Sequence, residues 1–207
     1  MRPRALGRSG SYVVLAMTLW LAGCEDSPTT PDPLPTGLPN AKIFDNLQLA
    51  RQLEAKQRTD TIFTEMSGDF DLDGTCSEGG GITYEFTRVQ TLERFDWAVY
   101  CDGQIELYGP LSPVGSITII DVGSMMKINS DEAIRLARKY GGEAFVKLYP
   151  DAIAVLRYSI MNDYPVCKVQ FFKIGVRCEP EYWLHAGTGE LLQKAEDCIS
   201  AEMDQRP

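Results

Sequence analysis

A single histidine, His185, is present in a chain of 207 residues, so any acid–base mechanism that depends on imidazole must use it. The sequence also lacks G-x-S-x-G, H-E-x-x-H and any phosphate-cradling glycine loop, and although carboxylates are plentiful, no spacing selects a catalytic pair. No apolar stretch approaches the ~20 residues needed to span a bilayer as a helix. No run of Lys or Arg occurs, and 20 basic residues stand against 29 acidic ones for a net charge of −9. Nucleic acid and direct binding to anionic lipid are therefore excluded as expected partners. None of the six cysteines forms a C-x-x-C pair. These absences predict a binding module rather than an enzyme.

The N-terminus carries an address. Arg2, Arg4 and Arg8 form a positive n-region, and residues 12–22 are apolar except for Thr18. A run this short fits a signal-peptide core. Leu21-Ala22-Gly23-Cys24 then resembles the lipobox of bacterial lipoproteins. The resemblance implies a signal peptide over 1–23, cleavage before Cys24, diacylglycerol on its thiol, and palmitate-type acyl chains that anchor the chain stably. The expected location is the cell envelope, facing the periplasm or the exterior; Glu25 and Asp26 leave inner and outer membrane both open. Without the leader's three arginines, 17 basic residues face 29 acidic ones, about −12. Residues 24–40 carry prolines at 28, 31, 33, 35 and 39 and read as an extended spacer reaching at most about 50 Å.

Beyond Cys24 lie Cys76, Cys101, Cys167, Cys178 and Cys198, read as disulfide candidates in an oxidising compartment. An odd number leaves one thiol over. An ordinary signal peptide with Cys24 in a disulfide would make the count even, and is the alternative to lipidation. Cys76 and Cys101 are expected to pair at one end of a three-strand meander. Cys167, Cys178 and Cys198 should then hold one more bridge and one free thiol.

A faint internal repeat organises the rest. Leu49-Ala50-Arg51 recurs 87 residues later as Leu136-Ala137-Arg138, and at the same offset Ile82 and Tyr84 fall on Val169 and Phe171, while Phe95 and Trp97 fall on Tyr182 and Leu184. The expected fold class is α+β, with two tandem units, 41–108 and 128–207, joined by a connector over 109–127 that includes a short strand at 116–121. Each unit reads as a helix packed on an antiparallel β-sheet. In the first, Ile43, Leu47 and Ala50 supply the stripe of a helix ending near Lys56. The second helix is expected to start with Ser130 as N-cap, to carry Asp131 and Glu132 in its first turn, and to end at Gly141-Gly142. Alternation over 82–86 and 95–101 predicts strands, with Asp102-Gly103 as a hairpin turn into 104–108. Residues 165–173, 181–186 and 190–193 repeat the pattern.

Ser130-Asp131-Glu132-Ala133-Ile134, with Tyr182-Trp183-Leu184-His185-Ala186 and Gly187-Thr188-Gly189-Glu190-Leu191-Leu192, resembles the PepSY family, in which an S-x-E-A-I helix start precedes a strand ending in D-A-x-T-G-E-V/I-L. His185 stands where Asp is usual. The resemblance covers about 65 residues of the second unit and implies a cystatin-like helix on an antiparallel sheet, with a protein-binding or peptidase-inhibitory role toward another envelope protein.

Three constellations could carry chemistry. Asp69, Asp71, Asp73 and Gly74 open like a calcium loop, but Gly80 stands where an EF-hand needs its twelfth-position acid, so a polar hairpin loop is the competing reading. A calcium-binding structural module is the alternative function; no other cofactor is expected. His185 sits beside Trp183, facing away from Tyr182 and Leu184, and reads as a structural or surface histidine; a nucleophilic Cys–His pair using a spare thiol is the chemical alternative. Finally, Trp97, Trp183, Tyr100, Tyr182, Phe171 and Phe172 put aromatics on both faces of the strands. Either the units bury these faces by stacking sheets or sharing one sheet, or part of the surface stays open as a platform with Trp183 and His185 on it.

Overall fold

The computed structural model describes residues 33–113 and 122–195. The leader, Cys24, Cys198, the strand expected at 116–121 and most of the proline-rich segment lie outside the described residues. Helix α1 (Leu47–Gln57) precedes strands β1 (Thr61–Phe70), β2 (Gly81–Arg88), β3 (Arg94–Tyr100) and β4 (Ile105–Leu111). Helices α2 (Ser130–Ala137) and α3 (Glu143–Leu148) precede β5 (Ile153–Met161), β6 (Tyr164–Phe172), β7 (Glu181–His185) and β8 (Leu191–Ala195). All eight strands join one antiparallel sheet in the order β4-β3-β2-β1-β5-β6-β7-β8. The aromatics are thus not buried between stacked sheets: the two meanders share a continuous sheet along a β1–β5 seam.

The central strands β1 and β5 are the elements the sequence reading omitted. In β1 the period of two is broken. Phe63 pairs with Phe86 and Glu65 with Glu85, so Thr64 is an extra residue in a bulge. Strict alternation from buried Phe63 would turn Glu65 inward; the bulge instead turns it out and Met66 into the core. In β5, Ala154, Leu156 and Tyr158 face the core, but Ile153 and Val155 on the other face make the segment read as one continuous apolar run.

Three helix boundaries also differ from expectation. Asn129, not Ser130, is the N-cap: its side chain accepts from the Ser130 N–H. Ser130 lies inside the first turn, fully buried. Its hydroxyl donates to the Gly74 carbonyl at 2.6 Å and accepts from the Ile43 N–H at 3.3 Å, so it is spent tying helix α2 to the β1–β2 turn and to the segment before α1. Gly141-Gly142 does not end the helical run. Gly141, at φ +144°, makes a kink that a side chain would resist, and helix resumes at Glu143. Ile43 belongs to a turn ahead of α1 and is buried there.

The core lies between the helices and one sheet face, where Met66, Tyr84, Trp97, Leu156, Phe171 and Tyr182 pack against Ala50, Leu53, Ile134 and Phe145. Its polar groups are satisfied. The Tyr84 hydroxyl donates to the Ile43 carbonyl and the Tyr158 hydroxyl to that of Ile128. Trp97 Nε1 donates to the buried carboxylate of Glu54 at 2.9 Å. Burial opposes the charge on Glu54, but bonds from Arg58, Trp97 and Thr61 outweigh it and hold the carboxyl below its usual range.

Cys76 and Cys101 form a disulfide, with Cα atoms 5.5 Å apart across a separation of 25 residues. It ties the β1–β2 connection to the end of β3. Replacing both cysteines by serine should cost about 3 kcal/mol in a denaturant titration, because the bridge restrains the unfolded chain. An unchanged midpoint would show that it contributes no restraint. Cys167 and Cys178 are not joined to one another. The Cys167 thiol is buried in the core, and burial pushes it up to about 12.

Candidate binding face

The opposite face of the sheet contributes nothing to the core cluster; its apolar residues, Ile153, Val155, Val166, Phe172 and Trp183, all lie outside it. Strand pairing fixes what this face presents. One row of paired positions runs Glu106, Ala98, Thr83, Ser67, Arg157, Lys168, Trp183, Gln193 from edge to edge. The adjacent row sets Glu65 opposite Glu85, Glu85 opposite Asp96, and Asp96 opposite Tyr108. The face therefore has two parts: an aromatic end on β6 and β7, and an acidic middle on β1 to β3.

At the aromatic end, Trp183 is half-buried between Glu181 and His185 on the same face. Its indole nitrogen is buried yet has no hydrogen-bond partner among the described residues. His185 Nδ1 accepts from the backbone N–H groups of Gly187 and Thr188, both at 3.1 Å, so the turn after β7 orients the ring. The Tyr164 ring lies edge-on, 6.5 Å from that of His185. Tyr164 is 61% exposed and Met161, its pairing partner, is 41% exposed. Asn162 and Asp163 between them have φ of +51° and +67°, the conformation of a tight two-residue hairpin, which projects both side chains from the sheet.

In the acidic middle, Glu65, Glu85, Asp96, Arg94 and Arg157 line a depression of about 360 Å³, with Ser67 and Thr83 beside them. Arg157 holds Glu65 through two bonds of 2.6 and 2.8 Å. Arg94 is shared between Glu85 and Asp96, at 3.3 Å from each. Burial raises the Glu85 carboxyl above its usual range, and the charge of Glu65 adds to this; Asp96 is raised for the same two reasons, with Arg94 opposing.

The other residues singled out in the sequence fall elsewhere. Trp97, Phe171 and Tyr182 are core. Tyr100 sits on the open face near the β4 edge, bonded to Glu106 and Tyr108. Phe172 is half-buried on that face. Asp69 lies in β1, while Asp71 and Asp73 shape the following turn: Asp71 N–H donates to the Thr75 carbonyl, and Asp73 accepts from both Thr75 N–H and hydroxyl. Among the described residues no group of three or more His, Cys, Asp or Glu is placed to hold a metal ion. Cys167 points to the core and His185 to the open face, so the structure does not bring these two together. Tyr164, Met161 and the Glu65–Glu85–Asp96 row were not singled out in the sequence. The alternating charges at Glu85 and Asp96 were visible, but their alignment depends on register.

No helix of the described residues is long and apolar enough to cross a membrane. No protein-family model matches the chain, and no curated protein does. Among solved structures, the chain is similar to a "putative lipoprotein" of Clostridium difficile 630, at 12% identity and a TM-score of 0.47, over 78% of this chain and 94% of that one.

Proposed function

We propose that the chain is a lipid-anchored envelope protein whose open sheet face binds another envelope protein, with Trp183, His185, Tyr164 and Met161 as the contact patch. The observation that carries this reading is Trp183: a large ring on the face away from the core, its indole nitrogen buried without an acceptor among the described residues, on the same face as His185 and the exposed Tyr164 ring that lies against it. A buried donor lacking a partner is uncommon in a finished fold, and a large aromatic ring on an otherwise uncovered sheet face is the kind of anchor that interfaces use. The anchoring part rests on the arginines ahead of residues 12–22 and on Leu21-Ala22-Gly23-Cys24. The description as two tandem PepSY-like units is supported by the repeated order of helix then four strands, and by the 87-residue offset that relates β2 to β6 and β3 to β7. A peptidase-inhibitory role is a narrower form of the same reading.

Intact mass of the membrane-extracted protein should show acyl chains on an N-terminal Cys24, and Cys24→Ser should release a folded, unlipidated chain. A mature chain beginning at Cys24 without lipid, or a disulfide that includes Cys24, refutes the anchor. For the face, Trp183→Ala and Tyr164→Ala should each weaken partner retention in envelope cross-linking by about 2 kcal/mol while leaving the melting temperature unchanged. Full retention by both variants refutes the patch.

A further inference from the structure

The acidic middle of the open face is arranged at a cost to the fold. Glu65 opposes Glu85 and Glu85 opposes Asp96 in directly paired positions, and like charges so placed destabilise a sheet. The bulge at Thr64 is what turns Glu65 to this side to complete the row. Only two guanidinium groups compensate three carboxylates. Arg157 is held by Glu65, so Glu85 and Asp96 share Arg94, at 3.3 Å from each, longer than a good charged hydrogen bond, and Glu85 also accepts from the Thr64 hydroxyl at 3.0 Å. One negative charge is left over in a depression that solvent enters only partly. An added cation would relieve both the repulsion and the imperfect sharing of Arg94.

We infer that the partner docked on this face inserts a Lys or Arg side chain into the Glu65–Glu85–Asp96 depression, carried on an extended segment that also covers Trp183. This rests on the proposed role of the aromatic patch and specifies the chemistry of its partner. Trp183 on β7 and Glu85 on β2 are four strand spacings apart, about 19 Å, which an extended segment of about six residues crosses. A second copy of the chain fits poorly, since each copy without its leader carries about −12, from 17 basic and 29 acidic residues.

The test is an NMR titration of the soluble Cys24→Ser chain, cut at the leader, with acetyl-Tyr-Ser-Gly-Ser-Gly-Arg-amide and with the same peptide ending in Gln. The Arg peptide should give saturable shifts at the amides of Glu65, Glu85 and Asp96 together with Trp183. The Gln peptide should bind at least ten-fold more weakly. The isosteric pair Glu85→Gln with Asp96→Asn removes repulsion and so keeps the fold; it should erase the preference for Arg. Equal binding of both peptides overturns the cation site, and if Trp183 still shifts, the aromatic patch survives. Shifts scattered over Glu106, Glu132 and Asp151 would show unspecific attraction and overturn it. Silence at every position overturns both readings. Sedimentation as a dimer that Trp183→Ala dissociates would assign the face to a second copy and overturn the basic partner.

Discussion

Trp97→Ala should destabilise the protein by about 3 to 5 kcal/mol, whereas Trp183→Ala should leave its stability nearly unchanged. Trp97 is 1% exposed in the core, and its removal both opens a cavity and withdraws the Nε1–H that satisfies Glu54. Glu54 would keep Arg58 and Thr61 but lose a bond inside a buried site, where an unmet acceptor is expensive. Trp97→Phe separates the two effects, because it retains most of the volume and loses only the donor; about 1 to 3 kcal/mol is expected. Trp183 stands on the face that no described helix covers, so its truncation opens no enclosed cavity. Thermal and denaturant unfolding of the three variants decide the matter. If Trp183→Ala melts far below the wild type, the face holding it is buried, and the docking platform is lost with it.

Gly74→Ala should be nearly as damaging although only one methyl is added. Gly74 sits at φ +90°, and a Cβ there would lie 2.3 Å from Asp131 Cα and 2.4 Å from Asp131 N. Backbone cannot yield as a flexible side chain would, so helix α2 must move away from the β1–β2 turn, stretching the Ser130 bonds to Gly74 and Ile43. A left-handed conformation costs a non-glycine residue about 1 kcal/mol, and the overpacking about 1 to 3 more. Gly79→Ala is the matched control: its φ is +76°, but nothing lies within 4 Å of the added carbon. Only the conformational cost of about 1 kcal/mol should remain. Equal melting temperatures for the two alanine variants would show that the turn and the helix do not press on one another.

Local chemistry made part of this fold legible. Alternation placed Ile82, Tyr84 and Phe86 on one side and Thr83 and Glu85 on the other, as the sheet has them, and Asp102-Gly103 announced the β3–β4 turn, where Gly103 takes a positive φ. Cys76 and Cys101 were within reach once those strands were placed. Strand β1 was not legible, because Thr64 interrupts its period; β5 was not, because apolar residues on both faces hide alternation. Ser130 looked like a cap since serine at a helix start usually is one, and only the tertiary packing shows its hydroxyl committed to Gly74 and Ile43. The acidic row needs the register of three strands, which no single stretch encodes. Trp183 could be found from its neighbours Glu181 and His185, but Tyr164 comes to His185 only through the pairing of β6 with β7.

The β1–β5 seam has a kinetic consequence. Six of the seven strand pairings join strands that follow one another along the chain, while the seam joins residues as far apart as Glu65 and Arg157, 92 positions. Closing a loop of that length costs roughly 4 kcal/mol of chain entropy, since the cost grows only with the logarithm of length. Within the sheet that long-range closure is made once, and the hairpins on either side can form by local encounters. The expected slow step in folding is therefore the meeting of the two halves along this seam.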